Sequence, residues 1–296
     1  MANVYTFCNQ KGGVGKTTSV INLAAAIALR NEKVLVIDLD PQGNATSGLG
    51  IDKLGLSKTI YDAVTGNDKL ENVIQKTGIE NLEIAPANSD LTGAEVELVD
   101  EMGREFILKR SIDEMLKTEM GMRYNYVFID CPPSLGILTL NALVASQKIV
   151  IPVQCEYYAL EGLGQLLKTI QLVKERLNSS LDVAGVILTM ADFRTNLTSE
   201  VIQEVKNYFA GKVFSSVIPR SVKLSEAPSF GKPAVIYDTL NRGTKSYVEL
   251  AREFLSREGG GDKTVTVTEE KKEETSATMP GKTAETAESS MANANS

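Results

Sequence analysis

Near the N-terminus runs Asn9-Gln10-Lys11-Gly12-Gly13-Val14-Gly15-Lys16-Thr17-Thr18, a segment whose residue types can hold phosphate. Its glycines let consecutive backbone N–H groups turn inward around an anion. A short apolar run, 4–8, precedes it, and a helix-like stretch, 16–30, follows. The anion would therefore also meet the positive end of a helix dipole. Lys16 is placed to reach the β and γ phosphates of a nucleotide, and the Thr17 hydroxyl to ligate Mg²⁺. The loop departs from the pattern G-x-x-x-x-G-K-[ST]. Gln10 occupies the first glycine position, and an additional lysine, Lys11, opens the loop. By residue type alone, Lys11 is equally a solvated loop lysine.

Three aspartates end apolar runs elsewhere in the chain. Asp38 and Asp40 close the run 33–38, and Asp130 closes 126–130. Ligands of parallel sheets bind at the carboxyl ends of the strands. Carboxylates there, with Thr17, make an oxygen set suited to Mg²⁺, held directly or through its waters. Each aspartate taken alone is also an ordinary turn or cap residue. Beside a phosphate-binding loop they take roles in phosphoryl transfer: Asp40 to orient and polarise the attacking water, Asp130 to fix the metal's waters, and Lys16 to cancel charge.

The elements that must position these residues are legible as an alternation. Continuous, β-branched apolar runs at 4–8, 33–38, 82–85, 126–130, 149–153 and 183–190 read as strands buried on both faces, with weaker candidates at 213–218 and 234–236. Helix-like stretches lie between them at 16–30, 95–117, 136–146, 160–178, 197–209 and 244–257. The expectation is an α/β fold: a doubly wound, mostly parallel sheet with helices on both faces. Residues 1–258 read as one domain. Residues 259–296 open on Gly-Gly-Gly and carry seven acids against four bases with little apolar surface, so a disordered acidic tail is expected.

Composition removes several chemistries. The 296 residues include no histidine, which excludes a Ser-His-Asp triad and a histidine-bearing zinc site. The three cysteines, Cys8, Cys131 and Cys155, form no C-x-x-C pair and read as small core residues of a reducing compartment. The N-terminus lacks a signal-peptide pattern, and no apolar run approaches the roughly 18 residues of a membrane span. A cytoplasmic protein is expected.

The segment Lys11–Thr18 resembles the deviant Walker A motif of the ParA/MinD family of P-loop ATPases. Asp38-Leu39-Asp40-Pro41-Gln42-Gly43-Asn44 is similar to that family's switch I, and Val127 to Pro133 to its Walker B and switch II. Matches continue through Pro152 to Gly162, Leu188-Thr189-Met190, Arg194 to Leu197, and Ile218 to Ser229, covering residues 3–257 and resembling the chromosomal ParA branch, often called Soj. The resemblance implies ATP and Mg²⁺ as ligands and a face-to-face homodimer formed with ATP. It implies that Lys11 reaches the phosphates of the second subunit and that Gly12 lies near that interface. It places the adenine near Pro219-Arg220-Ser221, through backbone groups, with Ser221 standing where relatives often carry Asn. Pro219 alone reads equally as a loop proline after a strand.

Residues 190–245 hold eight bases and five acids in a chain of net charge −7. Composition alone describes a solvated surface. The resemblance implies nonspecific double-stranded DNA binding by the ATP-bound dimer, with Arg194 and Lys223 at contact positions and Arg220 nearby. Lysine at 223 replaces a common arginine and lacks its bidentate fork. It also implies a ParB-type centromere-binding partner that stimulates hydrolysis, and a nucleoid-associated location. The nearest alternative is a MinD-like membrane-positioning ATPase, which would end in a basic amphipathic helix. A small-molecule amidase or ligase and a cluster-bearing electron donor are further alternatives.

Overall fold

The computed structural model describes residues 2–157, 159–160 and 163–259. The expected tail therefore lies outside the described residues apart from Gly259, as do Tyr158, Glu161 and Gly162 of the fourth matched motif.

The strands are β1 (Asn3–Phe7), β2 (Val34–Asp38), β3 (Gln75–Lys76), β4 (Leu82–Ala85), β5 (Tyr126–Asp130), β6 (Lys148–Gln154) and β7 (Asp182–Thr189). They form one sheet of order β3-β4-β2-β5-β1-β6-β7. Every pairing is parallel except β3 with β4. The α-helices are α1 (Lys16–Ala28), α2 (Asn44–Gly48), α3 (Ile60–Val64), α4 (Leu70–Val73), α5 (Leu91–Glu97), α6 (Ile107–Met115), α7 (Ile137–Ala145), α8 (Leu163–Arg176), α9 (Asn196–Phe209), α10 (Val222–Glu226), α11 (Ala234–Tyr237) and α12 (Arg242–Arg257).

The runs are apolar throughout because the sheet is covered on both faces. In β5, Val127 and Ile129 join a core with α6, α7, α8 and α9, while Tyr126 and Phe128 join a second core with α1 and α12. The second is aromatic at its centre, where Phe254 of α12 lies 5.0 Å from the Tyr5 ring and 5.6 Å from Phe128. This doubly wound arrangement is the one expected, and β1, an interior strand between β5 and β6, carries the Gly-rich loop.

Three expected elements differ. Residues 234–236 form part of helix α11, not a strand. Pro233 precedes them, and its carbonyl accepts from the N–H of Ile236 and of Tyr237, at 3.0 and 2.9 Å. Residues 213–218 run beside β7 with only isolated bridges at Val213 and at the neighbouring Pro219. The N–H groups of Ser215 and Ser216 turn instead to the Glu253 carboxylate, at 2.8 and 3.0 Å, which breaks the ladder. The stretch 95–117 is two α-helices with turns between, because Gly103 takes a left-handed φ of 66°. Asn141 of α7 then holds the second piece in place, donating to the Arg104 carbonyl at 2.8 Å and accepting from the Leu108 N–H at 3.1 Å.

Candidate functional site

The carboxyl ends of β1, β2 and β5 meet at one level. Parallel register sets Asp130 opposite both Asp38 and Phe7, the last residue of β1. The chain then leaves β1 through the Gly-rich loop. Gly13 and Gly15 have φ of 73° and 84°, which L-residues with a side chain rarely adopt. Gly15 also caps α1 without a side-chain acceptor, so the first N–H groups of α1 remain open toward an anion.

Two neighbours brace the loop. Asn9 donates to the Pro152 carbonyl at 2.7 Å and accepts from the Lys11 N–H at 3.0 Å. Thr189, ending β7, donates to the Val14 carbonyl at 2.8 Å. Neither Asn9 nor Thr189 stands out by type; the signals for them are their positions at strand carboxyl ends and within the quoted segments Asn9–Thr18 and Leu188-Thr189-Met190.

The two loop lysines are treated differently. Lys16 is only 6% exposed, and its Nζ donates to the Lys11 carbonyl at 3.3 Å. Burial pulls its pKa below the usual lysine value, opposed chiefly by the neighbouring carboxylates of Asp130 and Asp40. Lys11 is half-exposed, and its Nζ pairs with Glu156 Oε2 at 3.3 Å. Gly12 has room: a Cβ there would meet only the Pro133 Cβ at 3.9 Å.

The three aspartates differ as sharply. Asp38 is spent on its own segment: Oδ2 accepts from the Thr46 N–H and hydroxyl at 2.8 and 2.7 Å, and Oδ1 from the Asp40 N–H at 3.3 Å. Burial still raises its carboxyl to about 6. Asp40 accepts from the Gln42 N–H at 2.9 Å and faces a cavity of about 290 Å³ whose lining includes Gly13, Gly15, Lys16 and Thr17. Asp130 is wholly buried. Its Oδ2 accepts from the Thr17 hydroxyl at 2.6 Å, and its Oδ1 has no partner. Burial raises its pKa well above the carboxylate range, with Asp38 and Asp40 adding to the rise.

That orphaned oxygen is the test of whether these residues suit a metal. A buried carboxylate oxygen without a donor is costly, and a cation or the water on it would satisfy it. Among the described residues no three acidic or cysteine side chains converge as a ready-made cage. A site with one hydroxyl, one carboxylate and room for water suits Mg²⁺, which keeps several of its waters. The residues therefore fit the ion.

A second cavity, of about 100 Å³, adjoins the first and shares Gly15, Thr18 and Met190 with it. Pro219, Arg220 and Ser221 line it, as expected, together with Tyr247 of α12. The Ser221 hydroxyl donates to Asn241 Oδ1 at 2.9 Å, where Asn241 also caps α12. The Ser221 side chain is therefore engaged within the protein, and any contact from it to a ligand would have to compete with Asn241.

The cations at the expected DNA positions are each paired with a carboxylate. Arg194 is 87% exposed at its side chain and forks onto Asp192, with Nε and Nη2 at 2.8 and 2.6 Å. Lys223 sits 3.0 Å from Glu226 and over the Tyr237 ring. Arg220 reaches Glu156 at 3.5 Å, the same carboxylate that holds Lys11. The Arg220 N–H donates to the Ala191 carbonyl at 3.0 Å, so the loops of Arg194 and Arg220 run side by side.

All three cysteines are buried and free, and burial pushes Cys8 up to about 12 and Cys155 to about 11. Thiols so held are poor cluster ligands. Among the described residues no helix is long and apolar enough to cross a membrane. The apolar face of α12 is covered by the second core, so it is not a free amphipathic helix.

A Gly-rich loop from an interior parallel strand to a helix N-terminus, with a Thr–Asp pair at its base, defines a P-loop ATPase. An AAA domain family model matches residues 2–183. The chain is 53% identical over 256 residues to the sporulation initiation inhibitor protein Soj of Bacillus subtilis, covering 86% of this chain and 99% of that protein. It is 48% identical to the chromosome partitioning protein ParA of Myxococcus xanthus, over 87% of this chain and 89% of that one. The cobyrinic acid a,c-diamide synthase of Mycobacterium smegmatis, solved with ADP and magnesium, superimposes with a TM-score of 0.76 at 35% identity, covering 90% of this chain and 100% of that one. This chain belongs to the ParA/Soj family of partitioning ATPases.

Proposed function

We propose that the chain is a partitioning ATPase in which ATP drives a sandwich dimer and the dimer binds DNA without reading sequence. The triphosphate would lie in the cavity of the Gly-rich loop and the adenine against 219–221. Lys16 neutralises phosphate charge in its own subunit. Thr17 and Asp130 would hold the Mg²⁺, which would supply charge neutralisation to the phosphates when bound. Asp40, at the cavity wall, orients the attacking water. Lys11 completes charge cancellation on the phosphates of a second copy. Arg194, Arg220 and Lys223 contribute to a phosphate-binding face that dimerisation doubles. A ParB-type partner stimulates hydrolysis and resets the cycle on the nucleoid, and no membrane takes part.

The observation that carries this reading is the contrast within one loop. Lys16 lines the phosphate cavity, whereas Lys11 is absent from that lining, half-exposed and paired with Glu156. A lysine so placed is available to a neighbouring subunit and superfluous to its own.

The test is sedimentation of Gly12→Val with ATP, beside DNA binding of the wild type with ATP, ADP or no nucleotide. A Cβ at position 12 meets only ordinary contact, so ATP binding should survive while the dimer and the ATP-dependent DNA binding are lost. A Gly12→Val dimer would refute the face-to-face arrangement. A wild type that hydrolyses ATP with no response to DNA would instead favour the small-molecule enzyme suggested by the diamide synthase likeness.

A further inference from the structure

A groove of about 540 Å³ opens where α5 and the turns that follow it meet the start of α7. Its apolar lining is Val99, Leu135, Ile137 and Leu140, and its charged rim is Glu95, Arg104 and Glu105. The Arg104 guanidinium donates to the Val99 carbonyl, which holds the two turns together as one wall. Gly136 lies in the floor, where an added Cβ would stand 2.9 Å from Glu95 Oε1 and displace that carboxylate.

Two features of this surface call for an occupant. Large apolar side chains project from it into water: Val99 is 57% exposed and Met102 94%. The segment 95–105 also carries Glu95, Glu97, Asp100, Glu101 and Glu105 against Arg104 alone. Among the described residues no ion pair reaches Glu95 or Glu105, in contrast to the paired cations of the basic face. An apolar trough whose rim is net acidic, two carboxylates against Arg104, is complementary to a segment with an apolar face and Lys/Arg flanks.

Charge removes the competing occupants. Nucleic acid would set phosphate against carboxylate. The segment 259–296, with seven acids against four bases, is repelled in the same way. A second copy meeting through the same face would place acid on acid across a two-fold axis. We propose that this groove is the docking surface for a basic amphipathic segment of a partner protein. The inference does not rest on the nucleotide reading.

The experiment uses the full chain and a labelled synthetic helical peptide with leucines along one face and lysines on the other. A scrambled peptide of the same composition controls for charge alone. Fluorescence anisotropy should show the patterned peptide binding at least about tenfold more tightly than the scramble, with affinity falling as salt rises. Val99→Asp, and the pair Glu95→Lys/Glu105→Lys, should each weaken it about tenfold, while Glu175→Lys on α8 leaves it unchanged. A photo-crosslinking version of the peptide should mark residues 95–105 or 135–140 of the wild type. Equal binding of the two peptides, equal weakening in the α8 control, or cross-links confined elsewhere would overturn the proposal. Self-association of the wild type that Val99→Asp abolishes would overturn it in favour of a second copy.

Discussion

The nucleotide cavity and the basic face hold charge in opposite ways. At and beneath the cavity, charges are buried and mismatched: Asp40 and Asp130 both act on one lysine, Asp130 Oδ1 has no partner, and the neighbouring Asp38 is raised to about 6. On the face, charges are exposed and matched: Arg194, Arg220 and Lys223 each rest on a carboxylate. Burial makes a mismatch costly, so a buried mismatch persists only where a ligand relieves it. Exposed pairs are weak and screened, so a phosphate can replace a carboxylate with little penalty. The cavity therefore declares its ligand through what it lacks. The face conceals its ligand behind charges it already has.

This contrast fails most visibly if the cavity's lysine is dispensable. Lys16→Ala should lower phosphate release by about 10²–10³-fold, since Lys16 is the cation lining the cavity. A rate near wild type would remove the cavity from the chemistry. The next effect is on stability. Asp38 and Asp130 ionise less readily in the fold than in the unfolded chain. Between the ordinary carboxylate range and about pH 6, the fold thus keeps protons that the unfolded chain has released. Their contribution to stability falls as pH rises through that window. The nucleotide-free protein should melt progressively lower as pH rises from the ordinary carboxylate range to about pH 6. Asp130→Asn should flatten that slope while weakening the Mg²⁺ dependence of nucleotide binding. An unchanged slope in Asp130→Asn would show that its orphaned oxygen is satisfied in solution.

Much of the fold and the cavity is legible in the sequence, and the reason is burial. Runs such as 82–85 and 126–130 match β4 and β5 to the residue, because strands covered on both faces admit little but apolar side chains. The loop and its aspartates are legible because phosphate chemistry leaves few choices of residue type. The features that escape depend on partners distant in sequence. Ser215 and Ser216 leave β7 for Glu253, 37 or 38 residues away, and nothing in 213–218 announces that carboxylate. The pairing of Lys11 and Arg220 through one Glu156 is equally invisible, since the three lie in three different loops. The break at Gly103 carries a signal, a glycine within an otherwise helical pattern, that the surrounding periodicity outweighs.

Smaller effects belong to the basic face. Arg194→Ala/Lys223→Ala should weaken binding of the ATP-bound protein to duplex DNA and lower its salt slope by about 0.9 for each phosphate no longer neutralised. Weaker affinity with an unchanged slope would mean that these cations act through local structure rather than on phosphate. The last effect is the smallest and the most diagnostic. Asp192 accepts two hydrogen bonds from the Arg194 guanidinium and is pulled down to about 2, so it stays charged at every pH at which DNA binding is measured. A bound phosphate must compete with it. Asp192→Asn removes the competing charge and leaves an amide of nearly the same shape, so DNA binding should tighten by about two- to threefold at low salt and converge on wild type as salt screens the pair. Weaker binding would mean instead that Asp192 holds the guanidinium in its binding pose, and that matched charge on this face is positioning rather than concealment.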